Sequence, residues 1–226
     1  MDERFLRLAG SHDNIVTGFE RVSMSVLQSN EDLRSVIGQK IPGLEEKVLD
    51  YVDDFASDYI AQSPFLVIAT TDNEGNCDAS PKGDAPGFVQ VLDRKTIVIP
   101  DRPGNKLAYG HENILSSGKI GLLFFIPGTR ETLRVNGTAQ LDSSPELLAE
   151  LAARGKDAVL AIRVTVEECF FHCGKALIRS NLWQTERWES PYRVSFGEMY
   201  AKRKNVGPDV VKGVDDSIAN DYKYNL

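Results

Sequence analysis

The chain has 226 residues, 42% of them hydrophobic, and a formal net charge of -7. A chain of this size can bury one sizeable core, and a barrel or α/β fold of this length is commonly a single domain, here expected over 1–226. The acidic balance leaves no general excess of Lys and Arg for a nucleic-acid backbone or an anionic membrane surface, although a small anionic ligand needs only a few local cations and backbone amides.

Residues 1–40 are mixed and polar and read as an N-terminal extension. They hold one short helix over 30–37, with Asn30 as its cap and Gly38 as its stop. From Leu44 the apolar positions Leu44, Val48, Tyr51, Val52, Phe55, Tyr59 and Ile60 recur at helical spacing, which predicts an amphipathic helix over 44–62. Ser63-Pro64 ends it, because the residue before a proline is pushed out of the α region.

Short β-rich runs separated by turn residues follow. Phe65 to Thr71 and Cys77 to Ser80 flank Asp72-Asn73-Glu74-Gly75-Asn76, the pattern of a hairpin. Further strands are expected at 87–92, 96–100, 120–125 and 132–141, with Asp93-Arg94-Lys95 as a tight turn. Ser143-Ser144-Pro145-Glu146 opens a crossover helix over 144–154. Residues 158–166 form another β-branched run, with 167–177 continuing it after a break. The barrel is thus expected over 65–183, and 190–226 as a polar tail with a short helix around 196–204.

Three cysteines are too few and too unevenly placed for a disulfide framework. The start lacks a basic region followed by an apolar run, and no apolar stretch reaches membrane-span length, so a cytoplasmic protein with no membrane partner is expected. Several motifs fail on inspection. Gly118-Lys119 is followed by Ile120 where a P-loop needs Ser or Thr, and no Gly-x-Gly-x-x-Gly follows a strand. His111-Glu112 begins like a zinc-protease helix, but the second ligand position holds Leu115. Cys169, His172 and Cys173 suggest a soft metal site, yet buried free cysteines explain them more simply, so no metal is expected. Asn136-Gly137-Thr138 reads as a strand-end turn or bulge rather than a glycan acceptor.

The sharpest feature is the run from Ile97 through Pro100, Asp101, Arg102, Pro103, Gly104 and Asn105 to Lys106, a strand entering a rigid turn. Two prolines restrict the backbone, Gly104 permits close approach, and Arg102 and Lys106 supply charge, which suits a phosphate. An ordinary solvated turn has the same composition. A second segment, Asp78-Ala79-Ser80-Pro81-Lys82-Gly83-Asp84, again joins a cation to small residues.

Together with Ser63 to Thr70, Asn113-Ile114-Leu115, Gly121 to Phe124, Glu131 to Gly137 and His172 to Trp183, these segments resemble the pyridoxamine 5'-phosphate oxidase-like FMN-binding proteins over residues 30–190. They are similar in particular to a subgroup described only as FMN-dependent enzymes. The resemblance implies a mainly β fold, a six-stranded antiparallel split β-barrel with flanking helices. It also implies a homodimer with FMN in clefts lined by both chains. Carried over, it sets Ile99 and Pro100 beside the isoalloxazine, Asn105 and Lys106 at the phosphate with Asp101 and Arg102 in the same loop, and Thr132 at the ring's polar edge. Ser80, Lys82, Gly83 and Asp84 correspond to a second ring and phosphate segment, without the Arg that begins it in the oxidases proper. Arg179 and Trp183 are candidates for contacts from the second subunit, packing and an exposed strand face being the alternatives. The implied function is an FMN-dependent oxidoreductase on a small-molecule substrate, with no catalytic residue assigned. A non-catalytic flavin-binding or sensing module, or a split barrel using deazaflavin or haem, stands as the alternative.

Overall fold

The structure is a computed structural model that describes residues 26–104 and 106–224. The chain divides into two compact units, Met1–Glu45 and Glu46–Leu226. In the first, helix α1 (Asn30–Ile37) is capped by Ser29 rather than Asn30. The Ser29 hydroxyl accepts from the Asp32 amide at 3.1 Å, while the Asp32 carboxylate accepts from the Ser29 amide at 3.0 Å. This reciprocal box satisfies two amides that a helix start otherwise leaves orphaned. Gly38 ends the helix at φ 82, as its freedom in the left-handed half of the map permits. Residues 1–25 of the expected extension lie outside the described residues.

The helix expected over 44–62 is two elements. A 3-10 turn, Leu44–Lys47, is followed by extended chain and then by α2 (Asp54–Gln62). Tertiary bonds interrupt the periodicity. Leu49 exchanges backbone hydrogen bonds with Cys169 at 3.0 and 2.7 Å, and the Val52 amide donates to the Arg94 carbonyl at 2.8 Å. Asp53 then caps α2 by accepting from the Ala56 amide at 2.8 Å. The helix buries Ala56, Tyr59 and Ile60, and turns Phe55 out to solvent.

Among the described residues seven antiparallel strands follow, where the resemblance implied six: β1 (Phe65–Thr71), β2 (Cys77–Gly83), β3 (Gln90–Asp93), β4 (Thr96–Asp101), β5 (Lys119–Phe125), β6 (Thr132–Asp142) and β7 (Leu160–His172). Their order is β2-β1-β5-β6-β7-β4-β3, and the edge strands β2 and β3 do not pair, so the sheet is not closed. The strand expected over 87–92 is the shorter β3, four residues hairpinned onto β4 through the Arg94-Lys95 turn with an irregularity at Val91/Asp93.

Period-two burial builds the core. Leu66 and Ile68 of β1, Leu122 and Phe124 of β5, Leu133 and Val135 of β6 and Ile162 and Val164 of β7 meet Ile60 of α2 in one cluster. On β4 both faces are covered. Ile97 and Ile99 join that cluster, while Val98 packs with Leu147, Leu151, Ala158 and Ala161 beneath α4 (Pro145–Glu150). The helix expected over 144–154 is therefore shorter, and a turn pairing Ala153 with Lys156 completes that span.

The break expected after residue 166 is a bulge. Asn136 pairs with Glu168 and Gly137 with Val166, leaving Glu167 as the extra residue of β7. Gly137 is required there, since a Cβ would stand 2.0 Å from the Thr165 carbonyl oxygen. Beyond β7 the chain turns into α5 (Lys175–Ser180), where a strand continuation was expected.

The expected tail over 190–226 contains two helices, α6 (Phe196–Lys204) and α7 (Pro208–Tyr224). Asp215 ties them, accepting from the Ser195 hydroxyl at 2.7 Å and the Gly197 amide at 2.8 Å. Gly197 lets them approach, because a Cβ would lie 2.2 Å from the Val211 carbonyl oxygen. Among the described residues no helix is long and apolar enough to cross a membrane.

Candidate functional site

Strand alternation begins the site. In β2 the half-buried residues are Asp78, Ser80 and Lys82, all on one face, and their register sets Ser80 opposite Ile68 of β1. At the other side β4 delivers Asp101, paired in register with Leu160 of β7. From Arg102 the chain leaves the sheet and turns at Lys106 (φ 61) and Ala108 (φ 57) into α3 (Tyr109–Ser117).

Several contacts hold α3 against the sheet. Asn113 donates to the Thr70 hydroxyl at 3.1 Å, and Gly110 allows close approach, since a Cβ there would lie 3.3 Å from the Asp78 carboxylate. Ala108 offers no side-chain cap, so the first amides of α3 keep donor capacity toward the space in front of them.

These elements enclose a cavity of about 680 Å³. Ile68, Ile114, Leu160 and Ile162 form apolar walls, and Asp78, Ser80, Lys82, Asp101, Arg102, Lys106 and His111 bring polar groups to it. Its charges are mostly engaged. Lys82 pairs with one oxygen of Asp101, and His111 Nε2 stands 3.6 Å from the other. Arg102 donates from Nε to Asp84 at 2.9 Å and from Nη1 to the Leu151 carbonyl at 2.8 Å. Burial opposes the Asp84 charge, but the Ala85 amide and the Arg102 guanidinium outweigh it and hold this carboxyl below its ordinary range. Lys106 is exposed and makes no ion pair among the described residues. It is the loop's available cation.

Of the residues anticipated from sequence, Ser80, Lys82, Asp101, Arg102 and Lys106 come together in this cavity. Gly83 and Asp84 line an adjoining hollow of about 110 Å³ with Arg102, Arg154 and Lys156. Ile99 lies fully in the core, and Pro100 is buried opposite Ala161, so neither side chain lines the cavity. Asn105 lies outside the described residues.

Thr132, Arg179 and Trp183 are not brought to the cavity within one chain. Thr132 is buried opposite His172, ten residues along β7 from Ile162, a span of about 30 Å in an extended strand. Trp183 donates to the Thr129 carbonyl at 2.8 Å, and Arg179 is exposed on α5 rather than on a strand.

Sequence reasoning missed Tyr109, Gly110 and His111 as cavity residues. The signal was available: the phosphate-suited turn had to lead somewhere, and its first following helical residues inherit its position. Among the described residues no group of three or more His, Cys, Asp or Glu is placed to hold a metal ion. Cys169 is buried, whereas Cys77 and Cys173 are exposed.

The family model for pyridoxamine 5'-phosphate oxidase matches residues 52–173, which includes every strand and the whole cavity. None of the curated proteins matches the chain significantly. Among solved structures, HupZ of Group A Streptococcus is 22% identical, with a TM-score of 0.43, over 53% of this chain and 93% of that one. A Clostridium acetobutylicum protein related to a general stress protein, of the pyridoxinephosphate oxidase family, is 14% identical, with a TM-score of 0.40, over 53% and 86%. An FMN-binding protein of Syntrophomonas wolfei is 11% identical, with a TM-score of 0.41, over 70% and 96%.

Proposed function

Because this chain belongs to the pyridoxamine 5'-phosphate oxidase family, we propose that it binds FMN in the cavity between β2, β4 and α3 and acts as a flavin-dependent oxidoreductase on a small organic substrate. The observation that carries this reading is the convergence of the Lys82 face of β2 with the Lys106 turn on one cavity. Its volume of about 680 Å³ lies in the range of cofactor pockets.

The donor set fits the group. Ile68, Leu160 and Ile162 offer an apolar wall to a planar ring, while Lys106 and the uncapped start of α3 offer charge and amides to a phosphate. A buried, unpartnered Nε2 on His111 marks a polar group whose hydrogen bonding within the chain is incomplete. When bound, the flavin supplies hydride or electron exchange, and the chain supplies orientation, access and electrostatics. Lys106 would anchor the charged tail, Lys82 and Asp101 would set the field beside it, and the apolar walls would exclude water.

We further propose that two copies pair so that each site draws on both. Thr132 pairs with the far end of β7, Arg179 and Trp183 follow that end, and Leu107, Tyr109 and Val159 expose 54%, 58% and 56% of their surfaces at the cavity's rim. A second copy would cover that apolar rim and bring its own far end near. Light scattering on the eluting protein is expected to give twice the chain mass, and a monomer at all concentrations would remove the shared site.

An absorbance spectrum of freshly purified protein, followed by titration with FMN, tests the cofactor. Flavin bands that bleach under anaerobic reduction are expected. A folded protein that takes up no FMN would overturn the reading. Oxidation of NADPH or pyridoxamine phosphate would then separate catalysis from binding alone.

A further inference from the structure

The Asp101 carboxylate is shared unequally. Lys82 bonds one oxygen, and His111 Nε2 faces the other at 3.6 Å, too far for a hydrogen bond. That nitrogen is shut from solvent and has no hydrogen-bond partner. Lys82, Asp101 and His111 are each about one-fifth exposed, at 20%, 16% and 19%, and all three line the same cavity. One partly buried anion therefore stands between a cation that holds it and an imidazole that is positioned to.

The two protonation states of the ring give this cluster different charges. With a neutral imidazole, Lys82 and Asp101 cancel, and the ammonium is committed to its counter-ion. An imidazolium gives Asp101 a second cation, raises the cluster by one unit of charge, and weakens the carboxylate's hold on Lys82, whose ammonium has two further donors to offer. Histidine is the side chain that makes this change between pH 5 and 8.

We propose that protonation of His111 strengthens the cavity's hold on a phosphomonoester, with Lys82 as the group released to the phosphate. The proposal rests on the reading that a phosphorylated flavin occupies this cavity. The other titratable groups lining it are Asp78 of β2, Arg102 and Lys106 of the loop and Tyr109 of α3 itself; β1 and β7 contribute only apolar side chains. Arg102 is committed to Asp84, which leaves the imidazole beside Asp101 as the group through which the cluster's charge can change.

Linkage makes the proposal testable without turnover. If an imidazolium raises phosphate affinity about tenfold, phosphate must raise the imidazolium's stability by the same factor. The ring resonances of His111 in the apoprotein, assigned by comparison with His111→Gln, are followed by NMR across pH with inorganic phosphate or with chloride at equal ionic strength. Phosphate is expected to move the His111 titration up by about one pH unit, the equivalent of that tenfold coupling, and to leave His172 unmoved. An unmoved His111 titration overturns the proposal.

FMN affinity of the wild type and His111→Gln supplies a second reading, in which the phosphate's own ionisation cancels. The ratio of the two is expected to be about tenfold at pH 6 and near unity at pH 8, and flat with riboflavin. A ratio equal at both pH values, or the same dependence with riboflavin, overturns the phosphate assignment. The two failures are distinguishable. FMN bound with a flat ratio sinks this inference alone, whereas no FMN uptake with a phosphate-responsive His111 sinks the flavin reading alone.

Discussion

Arg102 and Lys106 look interchangeable in the sequence, as two cations of one turn, and the structure separates them. Arg102 is partly buried and spends its guanidinium on Asp84 and on the Leu151 carbonyl, at 2.9 and 2.8 Å. Truncation in Arg102→Ala removes both bonds and leaves a carboxylate that is only 9% exposed with Arg154 at 3.8 Å as its remaining cation. Hydrogen bonds to charged groups contribute about 1.5 to 3 kcal/mol each, and partial solvent access brings the expected loss to about 2 to 3 kcal/mol. With a urea slope of about 2 kcal/mol/M, the unfolding midpoint should fall by about 1 M or slightly more. Lys106→Ala removes an exposed side chain without an ion pair and should leave the midpoint within the equivalent of about 0.5 kcal/mol. Its FMN affinity, read from quenching of flavin fluorescence, should instead fall about tenfold or more, the value of one charge-assisted bond to phosphate. Arg102→Ala should lose less affinity than Lys106→Ala. The opposite pattern, an unchanged midpoint with abolished FMN binding in Arg102→Ala and full affinity in Lys106→Ala, would refute the assignment.

Other consequences follow from single sites. Gly137→Ala forces a Cβ to 2.0 Å from a carbonyl oxygen in the middle of the sheet, a conflict between two backbones, so a loss beyond the usual 1 to 3 kcal/mol of overpacking is expected. Gly121→Ala meets only side chains, Asn136 at 3.3 Å and Ala69 at 4.0 Å, and serves as the mild control; equal unfolding midpoints for the two would contradict the bulge geometry. The Ser144 hydroxyl and amide, then Arg163, hold the Asp142 carboxyl down from 3.8 to about 2. Its folded form is thus the more acidic, so this stabilisation is complete above pH 3.8 and is lost as pH falls toward 2; Asp142→Asn should flatten the acid limb of stability in that window. Burial, with the nearby Asp53 charge adding to it, pushes the Cys169 thiol up to about 11, whereas Cys77 and Cys173 are exposed. A thiol reagent at pH 8 should therefore modify Cys77 and Cys173 quickly and Cys169 only on unfolding, as peptide mapping would report.

Much of the fold was legible because its causes are local. Alternating burial at Leu66, Ile68 and Thr70, the Asp72–Asn76 hairpin turn and Pro145 at the start of α4 each depend on a few neighbouring residues. The same locality explains the failures. Leu49, inside the span read as one helix, instead bonds Cys169, 120 positions away, and no nearby residue announces it. In the C-terminal segment, Val211, Val214 and Ile218 carry a helical stripe, but its charged flanks hid a helix that Asp215 and Gly197 anchor through contacts with α6.

For the candidate site, residue types alone determined that a turn bearing Arg102 and Lys106 suits a phosphate and that Asp78 to Asp84 joins a cation to small residues; only the extension of β2 to Gly83 put Asp78, Ser80 and Lys82 on one face. Which cation remains available was decided only by tertiary structure. Asp84 reaches Arg102 across 18 positions and Asp101 reaches Lys82 across 19, because strands β2 and β4 end beside one cavity without pairing to each other. Charge is written in the sequence, but its neutralisation depends on distance through space, and folding sets that distance.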